Sequence, residues 1–321
     1  MVTIKIGVVG VGSMGVNHCK VLQMLKKADF IGVFDIDQKR SEKIAKTFGI
    51  QSFSSYTELI NAVDAVIIAV HTPYHFSLTM QAIQQGKHVL VEKPFVSSLK
   101  EAQQIIKAVD NGSVVVQVGH VERFNPAFKQ LSELINKENV ISIEARRFGV
   151  PNRSIETDVI LDLMIHDIDL VLQLVDSPIS TVNAVGYFIE DGKQLEAASA
   201  LISFQNGCFA SLLTSRFSLE KKREINVTEK DRFLKTNLLS KELYVYHKSK
   251  LSPSDSRSYH VENTIEKILT PHQETLYLEI EHFIQSIESK QSPLVGVHDA
   301  YKVQEVAEKI KEQIEKGRNQ G

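Results

Sequence analysis

Along the first part of the chain, short continuous apolar runs alternate with stretches whose apolar residues recur at helical spacing. Residues 3–9, 30–34, 65–70, 88–91 and 114–118 are rich in β-branched side chains and apolar on both faces, which predicts buried strands. Helices are predicted over 13–26, 38–48, 74–85 and 98–109. Gly49 and Gly86 stand where a left-handed residue would stop a helix, and Ser98 with Glu101 forms a capping-box pattern. Such alternation predicts an α/β fold, a doubly wound parallel sheet covered on both faces, over residues 1–121.

After His120 the pattern changes. A helix over 126–135, a strand over 140–147 and a longer helix over 158–175 come first. Strand-like runs then follow at 182–188, 197–204, 208–217, 224–227 and 243–246. Asp191-Gly192 and Asn206-Gly207 are turn signals, and the second marks a hairpin. Residues 248–260, polar and serine-rich, are predicted as an exposed loop. Helices over 273–288 and 298–316 end the chain, the second able to fold back on the first domain. The expectation for 122–321 is a second, α+β domain built on an open, mainly antiparallel sheet. With helices on one face, the other face is available to a partner subunit, which predicts a homodimer or homotetramer.

Candidate chemistry begins where the first strand ends, at Gly10-Val11-Gly12-Ser13-Met14-Gly15. Gly10 permits the tight turn, Gly12 lets a pyrophosphate approach the backbone and Gly15 lets the next helix pack closely. That helix aims its free N–H groups, those of Ser13 and Met14 included, at the phosphates. Asp35 ends the next strand, where an acid commonly holds the adenosine ribose; it disfavours a 2′-phosphate and so points to NAD. Arg40 lies close enough in sequence to soften that preference.

Composition narrows the functions further. With 321 residues and 43% hydrophobic content the chain can fill two cores. A formal net charge of −2 with no basic stripe argues against nucleic acid as a partner. No apolar run is long enough to span a bilayer, and the start of the chain reads as a strand and not as a signal peptide, so a cytoplasmic enzyme is expected. Two cysteines, Cys19 and Cys208, make no disulfide framework. The histidines show no metal-ligand spacing, so no metal is expected.

Two further stretches place charge in an apolar frame. Glu92-Lys93-Pro94 follows a strand at the carboxyl end of the sheet, where open α/β sheets hold ligands. The helix over 158–175 carries Asp162, His166 and Asp169, whose spacings of four and three put them on one face among Leu161, Leu163, Ile165, Ile168 and Leu172. A core histidine paired to a carboxylate would also explain this set. Beside a nicotinamide, His166 can accept a hydroxyl proton, Asp162 can orient the ring or bond the substrate, and Lys93 can hold the reacting oxygen or relay the proton.

These motifs resemble the glucose–fructose oxidoreductase, inositol dehydrogenase and MocA-type (Gfo/Idh/MocA) family. The likeness is carried by the glycine turn with His18, Thr72-Pro73 with His75, the run from Gly86 to Pro94, Asp162 with His166, and Glu279 with His282-Phe283-Ile284. It implies a Rossmann domain, an open α/β domain, oligomers, a nicotinamide cofactor and a catalytic set of Lys93, Asp162 and His166. Thr72, Pro73, His75, Glu92 and Lys93 fall where the family lines the nicotinamide side. Val159, Ile160 and Met164 replace glycines common in the family, which implies a different pocket shape.

A narrower resemblance, to the UDP-N-acetylglucosamine 3-dehydrogenases, rests on Gly119-His-Val-Glu-Arg-Phe-Asn-Pro126, on Arg146-Arg147-Phe148-Gly149 and on the segment from Leu161 to Asp169. It implies oxidation of a sugar nucleotide on the way to amino sugars of lipid A or surface glycans. Arg123, Arg146, Arg147 and Arg153 are candidates for a diphosphate or uracil, or else solvated surface charge. Asn125 either bonds a sugar hydroxyl or caps a helix, and Asp169 completes the substrate set. A free-polyol dehydrogenase and a non-catalytic NAD-binding regulator are the alternatives.

Overall fold

The structure, a computed structural model, describes residues 3–150, 157–189, 194–248, 250–253, 259–262 and 264–318. The chain divides into two compact units: residues 1–124 with 273–304, and residues 125–272 with 305–321. The sequence reading cuts the chain once, after residue 121; these units are discontinuous.

The first unit contains β1 (Ile4–Val9), α1 (Ser13–Leu22), β2 (Ala28–Phe34), α2 (Gln38–Phe48), β3 (Gln51–Ser52), α3 (Tyr56–Ala62), β4 (Ala65–Ile68), α4 (His75–Gln84), β5 (His88–Glu92), α5 (Leu99–Asp110) and β6 (Val116–Gly119). Its strands form a parallel sheet in the order β3-β2-β1-β4-β5-β6. The order reverses between β1 and β4, and such a switch point opens a crevice at the carboxyl ends of the strands. Side chains alternate across the sheet into two cores. Val66, Ile68, Val89 and Val91 pack beneath residues of α3, α4 and α5, while Ala65, Ile67 and Leu90 meet those of α1 and α2.

The second unit holds α6 (Pro126–Leu134), β7 (Val140–Phe148), a π-turn at Ile160–Met164 that runs into α7 (Ile165–Leu174), and then β8 (Ile179–Ile189), β9 (Gln194–Phe204), β10 (Phe209–Ser215), β11 (Lys222–Glu229), β12 (Arg232–Asn237) and β13 (Glu242–His247). The hairpin strands β14 (Lys250–Pro253) and β15 (Tyr259–Glu262) follow, and then β16 (Ile265–Ile268). The large sheet runs β16-β13-β12-β11-β7-β10-β9-β8 and is antiparallel except where β7 meets β10. Asn206-Gly207 turns β9 into β10, with Gly207 at φ +88° and the Asn206 side chain accepting from the Cys208 N–H.

The last two helices are α8 (Thr275–Ser289) and α9 (Val297–Arg318). The sequence reading gave α8 to the second domain; it belongs to the first unit. Leu276, Ile280, Phe283 and Ile284 complete the core that α1 and α2 begin. That stripe of large apolar side chains is buried against the sheet, which is a long-range choice local periodicity does not carry. The boundary between the units falls within α9, after Gln304.

Other expectations also shift. Strands β14 and β15 occupy 250–253 and 259–260 of the expected loop 248–260, while 249 and 254–258 lie outside the described residues, as does the turn Asp191-Gly192. The short β3, β12 and β16 and the helix α3 carry too little apolar periodicity to be read from sequence. The uniform helix expected over 158–175 opens instead as a π-turn, which alters the angular spacing on which the one-face argument relied.

Candidate active site

The glycine turn closes β1 onto α1. Gly10 has φ +84°, and a Cβ on it would lie 2.6 Å from the Ala69 carbonyl oxygen, so a side chain is excluded twice over. A Cβ on Gly15 would lie 1.9 Å from the Gly10 carbonyl oxygen, the close packing of helix on strand that the motif requires. Gly12 differs, because a Cβ there would meet nothing within 4 Å. It is also the N-cap of α1, provides no side-chain cap, and is followed by a first turn without acids. The free N–H groups at this helix start therefore face open space and favour an anion. Ser13 and Met14 are exposed beside it.

Asp35 is fixed by the backbone around that turn. Its Oδ2 accepts from the Val11 N–H at 2.8 Å and its Oδ1 from the Asp37 N–H at 2.9 Å. Each carboxylate oxygen keeps a further lone pair for a hydroxyl. Arg40 reaches back to the acids, with Nη1 3.7 Å from Asp35 and Nη2 3.4 Å from Asp37. Its charge is engaged by carboxylates, which supports NAD over NADP. These residues fit a dinucleotide: an uncapped helix start, an unfilled space before Gly12 and a fixed acid.

Beyond the switch point, Thr72 and Pro73 lie in a 3₁₀ turn after β4. The buried His75 ring joins two loops: Nδ1 is 2.9 Å from the Pro94 carbonyl oxygen and Nε2 is 2.9 Å from that of Val70. Glu92 ends β5 beneath Lys93. Its Oε1 lies 2.7 Å from Nε2 of the buried His18, and its Oε2 accepts from the Lys93 N–H at 3.2 Å. Burial opposes its ionisation, but the hydrogen bond and charge of His18 and the nearby Lys93 hold its carboxyl below the ordinary range. On α8, burial, with the Glu92 and Glu274 charges, pushes the Glu279 carboxyl well above that range. Neither Glu279 carboxyl oxygen has a hydrogen-bond partner among the described residues. The Glu279 main-chain carbonyl accepts from the Gln117 side chain at 3.1 Å. Arg123 is buried in this unit, donating to the Leu294 carbonyl at 3.1 Å with Asp299 3.8 Å away.

In the second unit, Asp162 lies in the π-turn and His166 in the first turn of α7, both part-exposed, whereas Asp169 is fully buried. Asp158 begins the segment by accepting from the Ile160 and Leu161 N–H groups, and Lys311 holds its other oxygen at 2.7 Å. Asn125 caps α6 through the Ala127 N–H and donates to the Leu238 carbonyl. Arg146 is exposed and paired with Glu144. Its neighbour Arg147 is buried and grips both oxygens of Asp167 at 2.9 to 3.1 Å. For Arg123 and Arg147 this corrects the reading as surface charge. Arg153 lies outside the described residues.

Sequence reasoning missed Arg216, Glu196 and the Glu92–Glu279 pairing. The first two carried a signal. Both take inward positions of alternating strands, in line with the buried Leu212 and Thr214 or with Ala198 and Ala200.

A parallel sheet with a dinucleotide cradle, joined to a mainly antiparallel α+β unit, defines a nicotinamide-dependent oxidoreductase. Residues 4–120 match the model of an oxidoreductase family with an NAD-binding Rossmann fold, and residues 151–320 match that family's C-terminal alpha/beta domain. The chain belongs to this Gfo/Idh/MocA oxidoreductase family. It is 33% identical to a UDP-N-acetylglucosamine 3-dehydrogenase of Acidithiobacillus ferrooxidans over 77% of this chain and 78% of that protein. A solved structure of the UDP-N-acetylglucosamine 3-dehydrogenase from that organism superposes with a TM-score of 0.88 at 29% identity, covering 98% of this chain and 99% of the other. A scyllo-inositol 2-dehydrogenase (NAD(+)) of Bacillus subtilis is 27% identical over 92% of this chain and 90% of that protein.

Proposed function

We propose that this chain oxidises the 3-hydroxyl of UDP-N-acetylglucosamine to the 3-keto sugar nucleotide, feeding amino-sugar synthesis for lipid A or surface glycans. The observation that carries this reading is the 33% identity to an enzyme of that name across 77% of the chain. Bound NAD supplies the hydride acceptor. In our assignment His166 accepts the hydroxyl proton, since an imidazole titrates near neutral pH. Lys93 holds the reacting oxygen and balances its developing charge, and Asp162 orients His166 or the sugar. The glycine turn and Asp35 hold NAD, together with Arg40, Thr72, Pro73, His75 and Glu92. Arg123, Asn125, Arg153 and Asp169 are assigned to substrate.

We place the enzyme in the cytoplasm. Among the described residues, no helix is long and apolar enough to cross a membrane. We also assign it as a homodimer or homotetramer through the outer face of the large sheet, where Val185, Tyr187, Leu201, Phe209 and Leu213 are exposed.

The test is NADH formation from NAD and a panel of UDP-sugars, with an aminotransferase removing the keto product. NADH from UDP-N-acetylglucosamine is expected; none from any UDP-sugar refutes the substrate. A second reading, a cyclic polyol dehydrogenase, is favoured by the scyllo-inositol relative that matches 92% of the chain, and NADH from scyllo-inositol alone would decide for it. Lys93→Met and His166→Ala are each expected to abolish turnover while NAD binding persists. Unchanged rates in both would refute the roles.

A further inference from the structure

Beneath the π-turn that carries Asp162 lies a buried arginine. Arg216 directly follows β10, and its side chain is 2% exposed. Its Nη2 is 3.1 Å from Asp162 Oδ2 and donates to the Thr157 carbonyl at 2.5 Å. Its Nη1 donates to Glu196 Oε1 at 3.1 Å, and its backbone N–H donates to the Glu196 carbonyl. One guanidinium thus ties the entry to the helix, the Asp162 carboxylate and the edge of β9 together.

This cation is badly placed for stability. It has lost its water, and it sits at the start of a helical segment, where the dipole is positive. Two carboxylates are needed to hold it there. The neighbouring buried pair provides a contrast. In Arg147–Asp167 both side chains are 2% exposed, so that pair is closed to solvent. In Arg216–Asp162 the carboxylate is 22% exposed. One end of the pair is sealed and the other opens outward, as suits a support for a working group.

We propose that Arg216 is a positioning residue for the reaction: it fixes the Asp162 carboxylate in one orientation on a π-turn, and Glu196 fixes Arg216. This inference rests on the assignment of Asp162 to the catalytic set. A π-turn is a local departure from regular helix that recurs at functional sites, and its side chains lack the regular stacking of an α-helix. Arg216 supplies the missing constraint from the sheet below.

The experiment is a double-mutant cycle on the full chain with NAD and whichever of UDP-N-acetylglucosamine or scyllo-inositol turns over. Arg216→Lys keeps the charge and loses the fork. It is expected to lower kcat about a hundredfold, the scale of a misplaced catalytic group, with the KM for NAD unchanged. In an Asp162→Asn background the same change is expected to cost nothing more, because Arg216 acts through Asp162. An equal loss in both backgrounds, or an unchanged kcat in Arg216→Lys, overturns the proposal. An unchanged kcat in Asp162→Asn alone overturns the assignment of Asp162 itself. Thermal unfolding of each variant checks folding. If Arg216→Lys does not fold, Glu196→Gln replaces it, with a smaller loss of kcat expected that also vanishes in the Asp162→Asn background.

Discussion

At the scale of single residues, Glu279 tests the chemistry of the first unit most directly. Its carboxyl is buried with no hydrogen-bond partner among the described residues, and Glu92 lies near enough to repel its charge. In the unfolded chain it ionises near the ordinary value of 4.5. A folded-state pKa raised above that value means the folded protein keeps a proton that the unfolded chain has released. Stability therefore falls as pH rises above about 4.5 toward the folded pKa. Glu279→Gln removes the ionisation and keeps the size. Its Tm is expected to exceed the parent's by an increasing margin from mildly acidic to neutral pH, read by thermal scans across that range. A constant margin would show that Glu279 does not hold a proton. Such an environment is invisible in the sequence, where Glu279 is one acid on an amphipathic helix. Only the docking of α8 makes it a buried acid facing Glu92.

At the scale of elements, α7 and its π-turn are tied to the sheet by arginine–carboxylate pairs instead of apolar packing alone. Removing one partner of Arg147–Asp167 leaves a buried charge uncompensated. Arg147→Met is expected to cost about 3–5 kcal/mol, measured by denaturant unfolding of the second unit's transition. Replacing both partners by leucine is expected to cost much less, since no charge is then stranded. An equal cost for both variants would show that shape and not charge holds the helix. The sequence carried part of this. Alternation over 140–147 was legible, but the inward side was not assigned to Arg147, and Arg216 was missed; the structure puts Arg147 in line with Ile143 and Ala145, and Arg216 in line with Leu212 and Thr214. Their partners were not legible, because Asp162, Asp167 and Glu196 meet them only once the strands are in register. The π-turn was missed for a related reason: it differs from an α-helix by one residue per turn, and the apolar pattern of the segment accommodates both.

At the scale of the whole molecule, the outer face of the large sheet is the feature with the widest consequence. Val185, Tyr187, Leu201, Phe209 and Leu213 are exposed there among serines and threonines. Scattered apolar residues are ordinary, but here they share one face of paired strands. Tyr187→Asp is expected to reduce the mass in solution, by light scattering on a sizing column, from a dimer or tetramer to a monomer, with NAD affinity unchanged. A parent protein that is already monomeric would remove the basis for an oligomer.

What the sequence determined by itself was the dinucleotide-binding half. A strand, a glycine turn, a helix and an acid follow one another within a short stretch, and their physics is local: a positive φ, a close contact, a free helix start. The sequence also marked most strands of the second sheet as strand-like runs, and the hairpin at Asn206-Gly207. Tertiary structure alone decided that α8 completes the first core, that β7 and β10 run parallel, and that Arg216 lies beneath Asp162. Each of these joins groups far apart in the chain. The free energy of such contacts comes from burial and charge pairing that exist only after folding, so no window of sequence contains it.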